Sequence, residues 1–344
     1  MMTPQIAVVY YPEGAGHATR MLAVGRALEK RGATVSVAGG GPGTQFVRMN
    51  GYDPFIPTTV DFIDTRQLGM GGVLTDSVPR AVQRIRDLVG WLRRVSPAAL
   101  VTDDMFATIA ANVAGVTTYH LSHNSPGLYS QYLERIATSV LSLHHQYSAR
   151  SFFYPAVWEP CRADPPRCTR VGPIALEGDT ETPDIDVLVV PSVYSREMDR
   201  FIEPVREDGR SVLAVGGPDW EPVVSLFPYI EAANLVICSG YSTVMEAAVA
   251  GTPCVVRPFT DEQRGVAALL AETDGFAVVD SPSAVSRAVA RPPPAPSFKN
   301  GTDLVAERVL SEIDTTQPSH PRPTATPSSA TGSRPTESRR SSGL

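Results

Sequence analysis

Two short stretches carry side chains whose type and spacing could do chemistry. The first reads GAGHATR and places His17 behind Gly14 and Gly16, directly after an apolar run at residues 6–11. A neutral imidazole on a glycine-loosened loop can take a proton from an attacking hydroxyl; it can equally bind or cap without catalysing. Such a base is commonly oriented by a carboxylate. Asp103 and Asp104 close a separate apolar run at residues 99–102, so either could reach the same edge, and either could instead cap the helix that opens near Met105. His123 follows the run at residues 117–121 and belongs to that edge too. Arg20, three residues past His17, shares its helix face and could lean toward a phosphate.

The second stretch, CSGYSTVMEAAVAGTPCVVRPFTDEQ, runs from Cys238 to Gln263. Its loop at residues 239–243 ends an apolar run and opens a helix, so unpaired backbone N–H groups and the positive helix end point outward. That is a seat for a diphosphate, with Gly240 allowing close approach and Ser242 and Thr243 adding hydroxyls. The plainer alternative is a helix N-cap by Ser242 or Thr243. Glu246 and the pair Glu262-Gln263 each sit three residues after a threonine or complete a Thr-x-x-Gln spacing, so each is also readable as part of a capping box. Asp261 is the substitute should Glu262 not serve. Ser192 and Arg196 lie on a polar loop after the run at residues 187–190, and Gly216 and Gly217 follow the run at residues 212–215.

Several chemistries are excluded. The Gly14–Thr19 stretch lacks the third glycine of a dinucleotide fingerprint, and the second strand ends without an acid for a ribose. No Gly-Lys-Ser/Thr loop and no Gly-x-Ser-x-Gly elbow occur. Four cysteines in 344 residues form no disulfide framework and no zinc spacing: Cys238 and Cys254 read as buried strand thiols, while Cys161 and Cys168 share one loop and read as free surface thiols or, less readily, as a pair. A formal net charge of −6 gives no electrostatic reason to bind nucleic acid. The start of the chain shows no signal-peptide pattern, and no apolar run approaches the ~20 residues a bilayer span needs, so a cytoplasmic protein is expected.

The elements that must hold these residues alternate. Strand, glycine loop, helix, strand fills the first forty residues, and the rhythm continues through a helix at 78–95, a strand at 99–102, a helix at 106–114, a strand at 117–121 and a helix at 129–147. Residues 155–173 read as loop, and the polar stretch at 180–186 as a linker. The pattern then restarts with strands at 187–190, 212–215, 235–238, 254–256 and 276–279, and a helix at 264–272. Ala306, Val309, Leu310 and Ile313 form the stripe of a last short helix. The expected division is a first Rossmann-like domain at 1–178, a linker at 179–185, a second at 186–298, a helix at 299–313 and a disordered tail at 314–344.

The two motifs together resemble GT-B glycosyltransferases, in particular the family 28 branch that contains the lipid-linked N-acetylglucosaminyltransferases. The longer motif is the more specific, and the resemblance spans roughly residues 5–313. It implies two doubly wound α/β domains facing across a cleft, and transfer of a hexose or N-acetylhexosamine from a UDP-sugar to an acceptor hydroxyl on a lipid-linked, glycan or small molecule. It assigns the Gly240 loop to the donor diphosphate, Glu246 to the ribose hydroxyls, and Glu262 and Gln263 to the transferred sugar. Ser192 and Gly216 complete the donor side. Gly14, Gly16, Arg20 and His123 fall on the acceptor side, with His17 as base and Asp103, the better match to the strand-ending acid of relatives, as its partner. Inversion without a metal or cofactor is expected, since no Asp-x-Asp pair ends a strand after the linker. Lipid-linked acceptors would bring peripheral contact with the inner membrane face, through Ile136, Val140, Leu141 and Leu143 of the helix at 129–147, although a core-facing helix explains those residues equally well. Two rivals share the fold: a nucleotide-sugar 2-epimerase, whose motif fails at Tyr241 and Met245, and a non-catalytic nucleotide-sugar-binding subunit.

Overall fold

The run Ile6-Ala7-Val8-Val9 has no exposed surface, so it must be an inner strand covered on both faces. Each such side chain is worth about 1.5–3 kcal/mol of burial for the larger residues, and the alternation along the strand decides which layer receives it. The computed structural model describes residues 3–60, 77–192, 195, 197–218 and 220–316. The first half contains β1 (Gln5–Val9), α1 (Ala15–Lys30), β2 (Thr34–Ala38), α2 (Gly43–Met49), α3 (Val78–Val95), β3 (Ala99–Thr102), α4 (Met105–Ala114), β4 (Thr118–Leu121), a 3-10 turn (Pro126–Leu128), α5 (Tyr132–Ser148), β5 (Ser151–Pro155) and β6 (Thr169–Val171). The second contains β7 (Ile185–Val190), α6 (Met198–Glu207), β8 (Val212–Ala214), α7 (Phe227–Ala232), β9 (Ala233–Cys238), α8 (Tyr241–Ala250), β10 (Cys254–Val256), α9 (Asp261–Leu270), β11 (Phe276–Val278) and α10 (Pro282–Ala290), followed by α11 (Thr302–Thr316).

The strands form two parallel sheets, ordered β2-β1-β3-β4-β5-β6 and β11-β10-β9-β7-β8. Ile6 and Val8 pack against α1 and α11, and Ala7 and Val9 against α3 and α4. In each sheet the chain first steps to one side and then reverses: between β1 and β3 in the first, between β7 and β9 in the second. Crevices outside the carboxyl ends of strands at such reversals are where open α/β sheets bind ligands. The register Val9↔Thr102 brings the ends of β1 and β3 level, and Val190↔Cys238 does the same for β7 and β9.

The structure departs from the sequence reading in particular places. Residues 155–173 are not simply loop, because β6 lies there and β5 ends there. Ile185, within the expected linker, already opens β7. α2 and α10 were not anticipated. α9 begins at Asp261, three residues earlier than expected, and α11 runs from Thr302 to Thr316, three residues later at each end. α11 crosses back to bury Val305, Ala306, Val309 and Ile313 against the first half. Arg196 and residues 317–344 of the expected tail lie outside the described residues. Among the described residues, no helix is long and apolar enough to cross a membrane.

Of the two orientations open to α5, the structure has the apolar stripe outward. Thr138, Ser142 and His145 face inward and are buried, while Leu133, Ile136, Val140, Leu143 and Tyr147 stand exposed. The core-facing reading of Ile136, Val140 and Leu143 is therefore wrong. His145 is buried with its ring stacked on His120, and His144 is half-buried beside it.

Candidate active site between the two halves

The site grows from the ends of β1 and β3. After β1 the chain must turn sharply into α1, and Gly14, at φ 84°, provides the left-handed residue that lets it. His17 then sits in the first turn of α1, with its side chain 25% exposed. Its Nδ1 lies 2.8 Å from Oδ2 of Asp103, 86 residues away in sequence. Asp103 also accepts from the Tyr11 backbone N–H at 2.8 Å and from Arg20 Nη2 at 2.6 Å. His17 Nδ1 also lies 3.0 Å from Arg20 Nη2. The ionised carboxylate can only accept, so the shorter contact takes Nδ1–H, the arginine donates to Asp103 instead, and His17 presents the lone pair of Nε2, the arrangement of an oriented base. Burial pushes the Asp103 carboxyl up, but His17 and Arg20 outweigh it and hold the group below its ordinary value.

Asp104 does something else. It is the N-cap of α4, accepting from Phe106 N at 2.8 Å, and it pairs with the fully buried Arg84. The two readings of the Asp-Asp pair thus fall on different residues: Asp103 meets His17, and Asp104 caps α4.

Arg20 is buried and does not reach outward. Its Nη2 holds Asp103, and its Nη1 lies 3.1 Å from His123 Nδ1. An arginine can only donate, so His123 Nδ1 accepts, which leaves Nε2–H to donate to Glu262 Oε1 at 2.9 Å. Burial depresses the His123 pKa, more than Glu262 raises it. At Glu262 burial pushes up, and His123, His17 and Arg20 together outweigh it, so the carboxylate is held below its ordinary value. A continuous polar chain therefore runs His17–Asp103–Arg20–His123–Glu262, from the first half to the second.

The opposing wall is the N-terminus of α8. Its N-cap is Gly240, without a side-chain capping bond. Ser242 and Thr243 lie inside the first turn, so neither is the cap, and the Thr243–Glu246 capping box does not exist. Glu246 is buried, and desolvation raises its pKa from 4.5 to about 8. Gly16 abuts this turn so closely that a Cβ there would lie 2.3 Å from Ser242 Oγ. Ser192 N donates to Ser195 Oγ at 2.9 Å and to Ser239 Oγ at 3.1 Å, tying the loop after β7 to the loop after β9.

At α9 the capping box is real. Thr260 Oγ1 accepts from Gln263 N, and Gln263 Oε1 accepts from Thr260 N and Phe259 N. The Gln263 carboxamide oxygen is thus used by the backbone, while Nε2 approaches Ser192 Oγ at 3.4 Å. Asp261 accepts from Ser130 N and Oγ, at 2.9 and 2.7 Å, and so fastens α9 to the first half. Gly216 stands apart in the exposed turn after β8, with no atom within 4 Å of where a Cβ would be.

Tyr241, Ser195 and Ser239 lie on the loops that the sequence singled out, but their contacts were not foreseen. The Tyr241 ring stacks on His123 with centroids 4.2 Å apart, and its hydroxyl donates to Pro155 O at 2.5 Å. Nothing local in the sequence marks the contacts of Tyr241 and Ser239, because their partners come from distant segments. Among the described residues no group of His, Cys, Asp or Glu is arranged to hold a metal ion.

No family model and no curated protein sequence matches the chain. Solved structures do. The glycosyltransferase SsfS6 from Streptomyces sp. SF2575 is 17% identical with a TM-score of 0.59, covering 91% of this chain and 96% of its own. The same enzyme complexed with thymidine diphosphate superposes at 0.60, with 16% identity and the same coverage. MurG from Acinetobacter baumannii is 14% identical with a TM-score of 0.54, covering 90% of this chain and 99% of its own. The chain has the GT-B fold, two parallel-sheet α/β halves of the kind these glycosyltransferases share.

Proposed function

We propose that the chain transfers a sugar from a nucleoside diphosphate sugar to an acceptor hydroxyl. The observation that carries the reading is a juxtaposition: the His17–Asp103 pair, on the Gly14–Gly16 turn, stands against the uncapped N-terminus of α8 through the Gly16–Ser242 approach. One side offers a base, the other a seat for a departing diphosphate. His17 Nε2 takes the acceptor proton as its oxygen bonds to the anomeric carbon. The bond from that carbon to the diphosphate oxygen breaks, and the nucleoside diphosphate leaves with its charge received by the free amides of α8. A single displacement of this kind inverts the anomeric centre and asks for no metal.

Glu246 is assigned to the ribose hydroxyls, and Glu262 to the transferred sugar, which would have to compete with His123 for the carboxylate. The base of the nucleotide is left to experiment: the resemblance favours uridine, whereas one neighbour was solved with thymidine diphosphate. The acceptor, lipid-linked or free, belongs to the same question.

Calorimetry with UDP and with thymidine diphosphate tests the reading. One of them should bind the intact chain, and Gly240→Val should weaken it by about tenfold or more, since a branched side chain would crowd the amides. A Cβ at Gly240 meets no protein atom within 4 Å, so the melting temperature should hold. If neither nucleotide binds, or if binding ignores the substitution, the donor site is elsewhere. Release of a C2-epimerised nucleotide sugar in the absence of acceptor would instead favour the epimerase.

A further inference from the structure

We infer that the outer stripe of α5 is a self-association surface, on which a second copy of this chain docks to form a two-fold dimer. The exposed residues Leu133, Ile136, Val140, Leu143 and Tyr147 are spaced 3, 4, 3 and 4 apart. That is the a/d repeat of a helix seam, narrower than the broad apolar face with which a helix covers a core or lies in a lipid interface. It spans four turns of a helix whose inner face is small and polar. The amphipathicity is thus inverted, and nothing in the first half's core accounts for an apolar outer side.

Charge narrows the choice of occupant. The positions flanking the seam are Tyr132, Ala137, Ser139, His144 and Gln146, with no acidic, lysine or arginine side chain among them. Identical faces can therefore meet without placing like charges together. An anionic lipid surface would be held by basic residues beside the apolar stripe; the only charged residues of α5 are Glu134 and Arg135, one of each sign, on the sides facing away from the seam. Arg167 does lie near the end of the stripe, but its guanidinium is stacked over the Tyr147 ring at 5.2 Å. The area is adequate as well. Tyr132, Leu133, Ile136, Val140, Leu143 and Tyr147 are 44–79% exposed. Together they offer on the order of 700 Å² per copy, close to the ~800 Å² that each partner gives to a stable interface. A two-fold contact is isologous, so one stripe supplies both sides.

Sedimentation equilibrium of the whole chain, across two decades of concentration, tests this without any substrate. The wild type should dimerise. Val140→Glu combined with Leu133→Glu should raise the dimer Kd by about a hundredfold or more, with the far-ultraviolet circular dichroism unchanged because both side chains point to solvent. A Val140→Cys chain should cross-link to itself under mild oxidation. A wild type that stays monomeric throughout, or a dimer indifferent to both glutamates, overturns the proposal. So does a monomer that floats with phosphatidylglycerol vesicles and loses them on the same substitutions, which would make the stripe a membrane surface.

Discussion

Asp103 carries two duties at once, and substitutions can separate them. It orients His17, and it is the counter-ion of Arg20, whose side chain is 4% exposed. Asp103→Ala leaves that guanidinium buried without its carboxylate, and should lower stability by about 3–5 kcal/mol in urea unfolding. His17→Ala removes the base alone. It should reduce kcat by about 10²- to 10⁴-fold in a transfer assay while nucleotide affinity and unfolding stay as in the wild type. A wild-type rate in His17→Ala would leave the chain without its base. Glu246 gives a pH signature of its own. Its folded pKa of about 8 stands above the ordinary 4.5, so the folded form holds a proton that the unfolded chain has lost. Stability from this group is intact below pH 4.5. It then declines by about 1.4 kcal/mol per pH unit until pH 8, and Glu246→Gln should remove that slope from the unfolding free energy. The types His17, Asp103 and Glu246 were legible in sequence. The choice of Asp103 over Asp104 came from the resemblance and not from the residues themselves, because it depends on the level at which β1 and β3 end.

Elements were legible where a long apolar run met a strong stop, as in β1, α1, β3 and β9. They were lost where the signal is short. β6 has three residues, and β5 follows α5 with only two residues between them. α5 itself was found, but its orientation was not, because periodicity reports that a helix has an apolar side and says nothing of what covers it. Its inner side makes a testable unit. The His120 and His145 rings stack at 3.6 Å, and His144 lies beside them. Burial holds His120 well below 6.5, lowers His145 to about 3 and depresses His144 too. All three are lowered, so the unfolded chain takes up protons first. Their contribution is whole above pH 6.5 and is lost on acidification, at about 1.4 kcal/mol per pH unit for each group between its two pKa values. Melting temperature should therefore fall steeply below pH 6.5, and His145→Phe should flatten the fall. This runs opposite to the Glu246 slope, so the two variants should bend the same curve in opposite directions; a fall below pH 6.5 that is identical in His145→Phe would place the acid-sensitive groups elsewhere.

At the scale of the whole molecule, the question is what holds the halves in register across the cleft. Polar fasteners join the halves, among them His123 to Glu262, Ser130 to Asp261, Tyr241 to the Pro155 carbonyl and Asn50 Nδ2 to the Val224 carbonyl. Beside them Gly16 meets Ser242 at a distance that tolerates no side chain, since a Cβ at Gly16 would lie 2.3 Å from the serine Oγ and 2.9 Å from its Cβ. Gly16→Ala is informative because two effects have opposite signs. Inside α1, alanine should gain about 1 kcal/mol over glycine from helix propensity. Any loss of stability must then come from α1 and α8 being pushed apart. Ser242→Gly removes both clashing atoms. Gly16→Ala alone should lower the melting temperature and enlarge the radius of gyration seen by small-angle scattering. Adding Ser242→Gly should restore compactness, with a coupling of about 0.5–3 kcal/mol in the double-mutant cycle. An additive cycle would mean that the halves are aligned by the polar fasteners and by apolar packing such as that of Leu128 and Trp158, and that the glycine turn serves only to aim His17.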